Sequence, residues 1–214
     1  MSNFQVKNGQ KFVFMGDSIT DCGRWSDAPP YGKGYAKMVV DLITAKYPER
    51  AIEYVNVGIS GNTSADLVKR WEDDVIRLNP DWLTIKIGIN DLWASMDKKP
   101  TAITPENYRN NLLLILTETK KKTKAKIILI DPFYMSTNKN NESVESAFLR
   151  QLPEYICIVE EMSKKFKLAR VKTHEIFQKH LKIRPRNHFG IEPVHPNLSG
   201  HMIIANELLR VLGW

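Results

Sequence analysis

A chain of 214 residues, 43% hydrophobic and 26% charged, has the length and apolar content for one domain over residues 1–214 with a sizeable core, which excludes an intrinsically disordered chain. No apolar run approaches the roughly 20 residues a membrane-crossing helix needs, and the polar opening segment lacks the apolar stretch of a secretory signal; the sequence reads as cytoplasmic, as would a chain already trimmed of its signal. The net charge of +7 admits anionic partners, yet the densest basic run, Lys120 to Lys126, closes a predicted helix where cations complement the helix dipole, so nucleic acid and membrane are set aside as partners.

Two cysteines, Cys22 and Cys157, give neither a disulfide framework nor a metal-ligand spacing, so reduced thiols and no metal are expected. The first predicted strand, Lys11 to Met15, breaks at Gly16 and delivers Ser18 into a polar turn, which is how a buried strand presents a nucleophile at a sheet edge. No Gly-x-Ser-x-Gly surrounds that serine. Alone it is a weak nucleophile, and it needs a base and oxyanion donors from elsewhere in the chain. A loop rich in proline and glycine then carries Trp25 and Tyr31, aromatics that face a ligand or pack the surface. A helix follows from Tyr35 to Tyr47, ended by Pro48, with Met38, Leu42 and Ala45 at core-facing spacing.

The second strand, Ile52 to Val57, enters a glycine turn, Gly58 to Thr63, after which Thr63 or Ser64 caps a helix reaching Trp71 and Val75. The third strand, Trp82 to Ile87, enters another, Gly88 to Trp93; its Asn90 either donates to an oxyanion or bonds its own backbone. Beyond it come a helix from Pro105 to Lys122 with Tyr108, Leu112, Ile115 and Leu116 on one side, a fourth strand from Lys126 to Ile130, and a loop that runs polar from Ser136 to Asn141. A helix from Val144 to Phe166, with a break allowed at Pro153, precedes a fifth strand from Leu168 to Val171. Thr173 is expected to cap a helix to Leu181, and a basic loop leads through His188 to Asn197. The last helix, Leu198 to Leu212, is expected to bury Ile204, Leu208, Val211 and Leu212.

Strands and helices alternate from end to end, the pattern of an α/β fold of three layers, α/β/α, around a five-stranded parallel sheet. In the flavodoxin-like order 2-1-3-4-5 the turns after the first three strands share one edge, and ligands bind where strand order reverses, between strands one and three. Ser18 and Asn90 then flank that crevice with Gly61 beside them. The base must come from the C-terminal loop, where His195 sits just before the last helix.

Gly16-Asp17-Ser18-Ile19, Gly61 in its turn, Gly88-Ile89-Asn90-Asp91 and Val194-His195-Pro196 together resemble the GDSL or SGNH hydrolases, in the right order over the whole chain. The fuller wording around Ser18, Gly61 and Asn90 is similar to the bacterial acetyl xylan esterase branch. The resemblance implies Ser18 as nucleophile, His195 as base, and an oxyanion hole from the amides of Ser18 and Gly61 and the side chain of Asn90. The family's triad acid is usually an aspartate three residues before the histidine; here that position holds Glu192, one methylene longer and of the same charge. Either it orients His195, or a backbone carbonyl does so, or the enzyme is weakened.

Such a protein needs no cofactor, and its partner is a small-molecule or oligosaccharide ester. The activity implied is a serine esterase removing short acyl groups, acetyl foremost, from carbohydrates through an acyl-enzyme. The alternatives are a lipase- or thioesterase-type acylhydrolase and a catalytically weakened binding protein on the same frame. Asp17, Trp25, Tyr31 and Trp93 are the residues set against the substrate, though Asp17, Asp21 and Asp91 also suit the bracing of their turns. His188 and His201 are read as surface or packing histidines, and assembly into a homo-oligomer is left open.

Overall fold

The computed structural model of the protein describes residues 4–96, 103–138, 140 and 142–214. Five strands form one sheet: β1 (Lys11–Gly16), β2 (Glu53–Asn56), β3 (Trp82–Lys86), β4 (Lys126–Ile130) and β5 (Ala169–Val171). Their order is β2-β1-β3-β4-β5, and every pairing is parallel. The expected α/β fold and strand order are both present. Because side chains alternate along a strand, Val13 and Met15 face one layer and Phe12 and Phe14 the other. Both faces are covered, so β4 reads as a continuous apolar run from Ile127 to Ile130, the composition a doubly covered parallel sheet favours, and β3 is buried throughout although it carries Thr84 and Lys86.

The described residues form eight α-helices: α1 (Ser18–Asp21), α2 (Tyr35–Lys46), α3 (Ser64–Trp71), α4 (Ile89–Met96), α5 (Pro105–Lys122), α6 (Val144–Phe166), α7 (Thr173–Leu181) and α8 (Leu198–Val211). Leu67 and Trp71 of α3, Leu92 of α4, Leu112 and Leu116 of α5, and Leu152 and Tyr155 of α6 pack on Val13, Leu83 and Leu129. Val39 and Ile43 of α2, Phe177 of α7, and Ile204 and Leu208 of α8 pack on Phe12, Phe14 and Ile128. Each such large apolar side chain, once buried, contributes about 1.5–3 kcal/mol.

Four local expectations are corrected. Ser18 is not in an open turn but starts α1, because the Asp17 carboxylate accepts the Ile19 amide at 3.0 Å and caps a helical turn there. Asn90 lies in the first turn of α4, which Ile89 and Leu92 hold down by burying their side chains. Pro153 does not break α6: buried Phe148, Leu152, Tyr155, Ile158 and Met162 keep one stripe against the core on both sides of it. Thr173 does not cap α7; its hydroxyl donates to the Asp131 carbonyl at 2.6 Å, and Lys172 occupies the cap without a side-chain bond. Smaller differences are that Ala45 is exposed and Val211 only half-buried. Of the loop expected over 136–141, Lys139 and Asn141 lie outside the described residues.

Candidate active site

The turns after β1, β2 and β3 meet at one edge of the sheet and are tied to one another by buried polar groups. Asn56, at the end of β2, donates to the Thr20 carbonyl at 2.7 Å and accepts the Gly58 amide at 2.9 Å. Asp21 of α1 accepts from the amide and hydroxyl of Ser60 at 3.1 and 2.6 Å. A Cβ on Gly58 would lie 2.4 Å from the Asp21 amide, so only glycine lets the second turn approach the serine helix this closely. Gly61 has φ +81°, a left-handed conformation that glycine adopts without strain.

The third turn is fastened to the second. Asn90 donates from Nδ2 to the Asn62 carbonyl at 2.9 Å, and the buried Asp91 carboxylate accepts from the Ser64 amide at 3.0 Å and from its hydroxyl. Burial pushes the Asp91 carboxyl up to about 6 against those hydrogen bonds. Asp21 and Asp91 thus brace their turns. Asp17 does the same and is corrected as a substrate-side residue: it is fully buried and its carboxylate is held by the Ile19 amide and the ammonium of Lys86.

The fourth component arrives from the loop before α8. Gly190 and Pro196 pair across it in an isolated antiparallel bridge, and the Met135 amide donates to the Pro193 carbonyl at 2.7 Å. Within the loop, Glu192 accepts from the amides of Val194 at 2.8 Å and His195 at 2.6 Å, and also bonds the Nδ1 of His195. On the other side of the ring, Nε2 meets the Ser18 Oγ at 2.8 Å. The extra methylene of glutamate is absorbed by the loop, whose two amides steer the carboxylate onto the ring. Burial pushes the Glu192 carboxyl up, but the bonds from His195 and the two amides outweigh it and hold it below its ordinary range. The geometry therefore offers a hydroxyl, an imidazole on it, and an ionised carboxylate fixing the tautomer, a set able to move a proton off Ser18.

His188 is exposed. His201 is buried; its Nδ1 accepts the Tyr35 amide at 3.2 Å, its Nε2 lies 3.5 Å from the Cys22 sulfur, and burial drives its pKa down to about 4. The unfolded chain binds a proton there near pH 6.5 that the folded chain refuses until about pH 4. This contribution to stability is therefore complete above about pH 6.5 and is lost as pH falls toward 4. By linkage it amounts to about 3 kcal/mol. The raised carboxyls of Asp91 and Asp131 titrate in the same window with the opposite sign, so the check is a difference of two slopes. The urea-midpoint advantage of the wild type over His201→Gln, which keeps an acceptor, is expected to shrink as pH falls from about 6.5 to about 4, and a constant difference would show that the ring charges without penalty. Part of the slope remains in the variant, because burial lowers His174 to about 4 as well.

The aromatic candidates differ in placement. Tyr31 meets Tyr54 edge-on at 6.4 Å and packs against the core. Trp25 lies beneath the Arg24 guanidinium at 3.9 Å and Trp93 against Phe148 at 5.0 Å, yet they remain 70% and 50% exposed. One partner of the site lay outside the sequence reading: Lys86, an apparently ordinary strand residue whose signal was a lone lysine in the otherwise apolar end of a central strand.

Residues 14–203 match the family described as the GDSL-like lipase/acylhydrolase family. The acetylxylan esterase of Geobacillus stearothermophilus is 38% identical, over 98% of this chain and 97% of its own. Its crystal structure superposes with a TM-score of 0.88 over the same shares of the two chains. Solved variants of that enzyme, described as catalytic mutants, replace a serine, a histidine, or an aspartate three positions before the histidine by alanine. An α/β hydrolase from the metagenome of Lake Arreo, 31% identical over 98% of each chain, superposes with a TM-score of 0.88. Among the described residues no helix is long and apolar enough to cross a membrane.

Proposed function

Because the chain belongs to the GDSL-like lipase/acylhydrolase family and is a carboxylic ester hydrolase, we propose that it is a serine esterase removing short acyl groups, acetyl above all, from carbohydrates. The observation that carries the reading is the unbroken chain of hydrogen bonds from Ser18 through His195 to Glu192. His195 takes the Ser18 proton as Oγ attacks the ester carbonyl, and Glu192 stabilises the imidazolium. The oxyanion is received by the amides of Ser18 and Gly61 and by Asn90, whose amide nitrogen carries a second hydrogen besides the one directed at Asn62. His195 returns the proton to the departing alcohol, leaving an acyl-Ser18. Water, deprotonated by the same imidazole, releases the acid.

Two features favour a small acyl group on a bulky, polar alcohol. The side chains of His195 and Glu192 are 57% and 45% exposed, so the leaving-group side opens to solvent where a sugar chain fits. The exposed faces of Trp25 and Trp93 suit stacking on a sugar ring. The 38% identical relative is an acetylxylan esterase, and the Glu192 to His195 spacing equals that between the aspartate and histidine replaced in it. The test is a comparison of acetylated xylo-oligosaccharides with p-nitrophenyl esters of rising acyl length. Highest kcat/KM is expected for acetyl, with a steady decline beyond butyryl. A preference for eight carbons or more would assign a lipase or thioesterase activity instead.

A further inference from the structure

Lys86 ends the central strand β3, opposite Gly16 in the register with β1, and its side chain has no exposure at all. Its ammonium lies 3.2 and 3.4 Å from the two carboxylate oxygens of Asp17 and 5.0 Å from the centroid of the Phe133 ring. Asp17 is equally buried. A buried ion pair is weak evidence for stability, since apolar residues of similar volume often serve as well. Its location is what needs explaining. The same Asp17 carboxylate caps α1 through the Ile19 amide, one peptide from the Ser18 amide, and so places a carboxylate beside an amide to which the substrate's oxyanion is assigned.

We propose that Lys86 is a positioning residue of the hydrolytic reaction: its ammonium fixes the Asp17 carboxylate in the capping rotamer that aims Ser18 at His195, and neutralises a charge that would otherwise oppose the oxyanion. The inference rests on the esterase reading above. Lys86 touches neither substrate nor reacting atoms and acts through Asp17. Burial pushes its pKa down while the attraction of Asp17 opposes this, and the positive charge of Lys86 adds to the burial that lowers His201. The placement of the ammonium within 3.4 Å of both Asp17 carboxylate oxygens is the geometry of an ion pair. Without it, Asp17 is left as a lone buried anion that repels the transition state more than the ground state, a loss that falls on kcat rather than KM.

The test is a double-mutant cycle of Lys86→Met, Asp17→Asn and the pair, with p-nitrophenyl acetate. Each protein is normalised by titrating reactive Ser18 with a fluorophosphonate, so that misfolded material does not count. Lys86→Met is expected to lower kcat by about 10²-fold with KM within about threefold. The pair, in which Asp17→Asn keeps a capping side chain on α1 and no charge is orphaned, is expected to recover at least about tenfold of that loss. A merely structural role predicts altered melting but unchanged kcat per titrated site, and either that result or a pair no better than Lys86→Met overturns the proposal. Should Lys86→Met fail to fold, Lys86→Gln, which keeps a donor and loses the charge, takes its place in the cycle under the same criteria. A wild type that does not hydrolyse the ester at all would strike the esterase reading itself, and a normal wild type with unaffected variants would strike only Lys86.

Discussion

Ser18→Ala is expected to lower kcat on p-nitrophenyl acetate by about 10⁶-fold and to leave the protein folded. Both halves follow from the placement of one oxygen. Ser18 Oγ bonds His195 Nε2, whereas α1 is held by the Asp17 cap and the burial of Ile19 and Thr20, so removing the hydroxyl leaves the helix its supports. Without Oγ no acyl-enzyme forms, and the residual rate comes from whatever the oxyanion donors do for a water attacking directly. Steady-state rates and thermal melting of the two proteins decide the matter. Equal rates would mean Ser18 performs no chemistry, and would transfer the function to a binding protein on a hydrolase frame.

The second large effect is expected at Glu192. Glu192→Gln should lower kcat by about 10⁴-fold, because an amide of nearly the same shape keeps the loop but no longer carries the charge that favours the imidazolium and the tautomer with Nε2 facing Ser18. Glu192→Asp is expected to retain far more activity. It keeps the charge but is one methylene shorter and must be carried closer by the loop, whose amides at Val194 and His195 make the adjustment. Turnover of both variants, beside circular dichroism, provides the check. A Gln variant within tenfold of the wild type would assign the orientation of His195 to the loop backbone instead.

Most of the fold was legible because two periodicities are strong here. The apolar run of β4 and the stripe of Tyr108, Leu112, Ile115 and Leu116 each fit one kind of element, and the observed bounds of β4, α5 and α6 agree with those expected. The turns that carry Ser18, Gly61 and Asn90 and the loop that carries His195 were legible because turn and loop motifs are short and local. What failed was also local. Gly88 hides the spacing of Ile89, Leu92 and Met96, which signals a helix, and Pro153 left a break open in a helix whose core stripe runs through it. Burial was harder to read. Nothing in a single sequence states that Asp17 points inward, because its partner Lys86 is distant in the chain and looks like any polar residue closing a strand.

The contact between Ser18 and His195 joins residues 177 positions apart in sequence. At a synthesis rate of about 5–20 residues per second, Ser18 therefore waits roughly 9–35 seconds for His195 to be made. The nascent chain carries its serine through that interval with no partner to ionise it. Recovery of hydrolysis on refolding should likewise report the closure of this long loop, lagging any signal from helix formation, since contacts between distant segments are the slow ones.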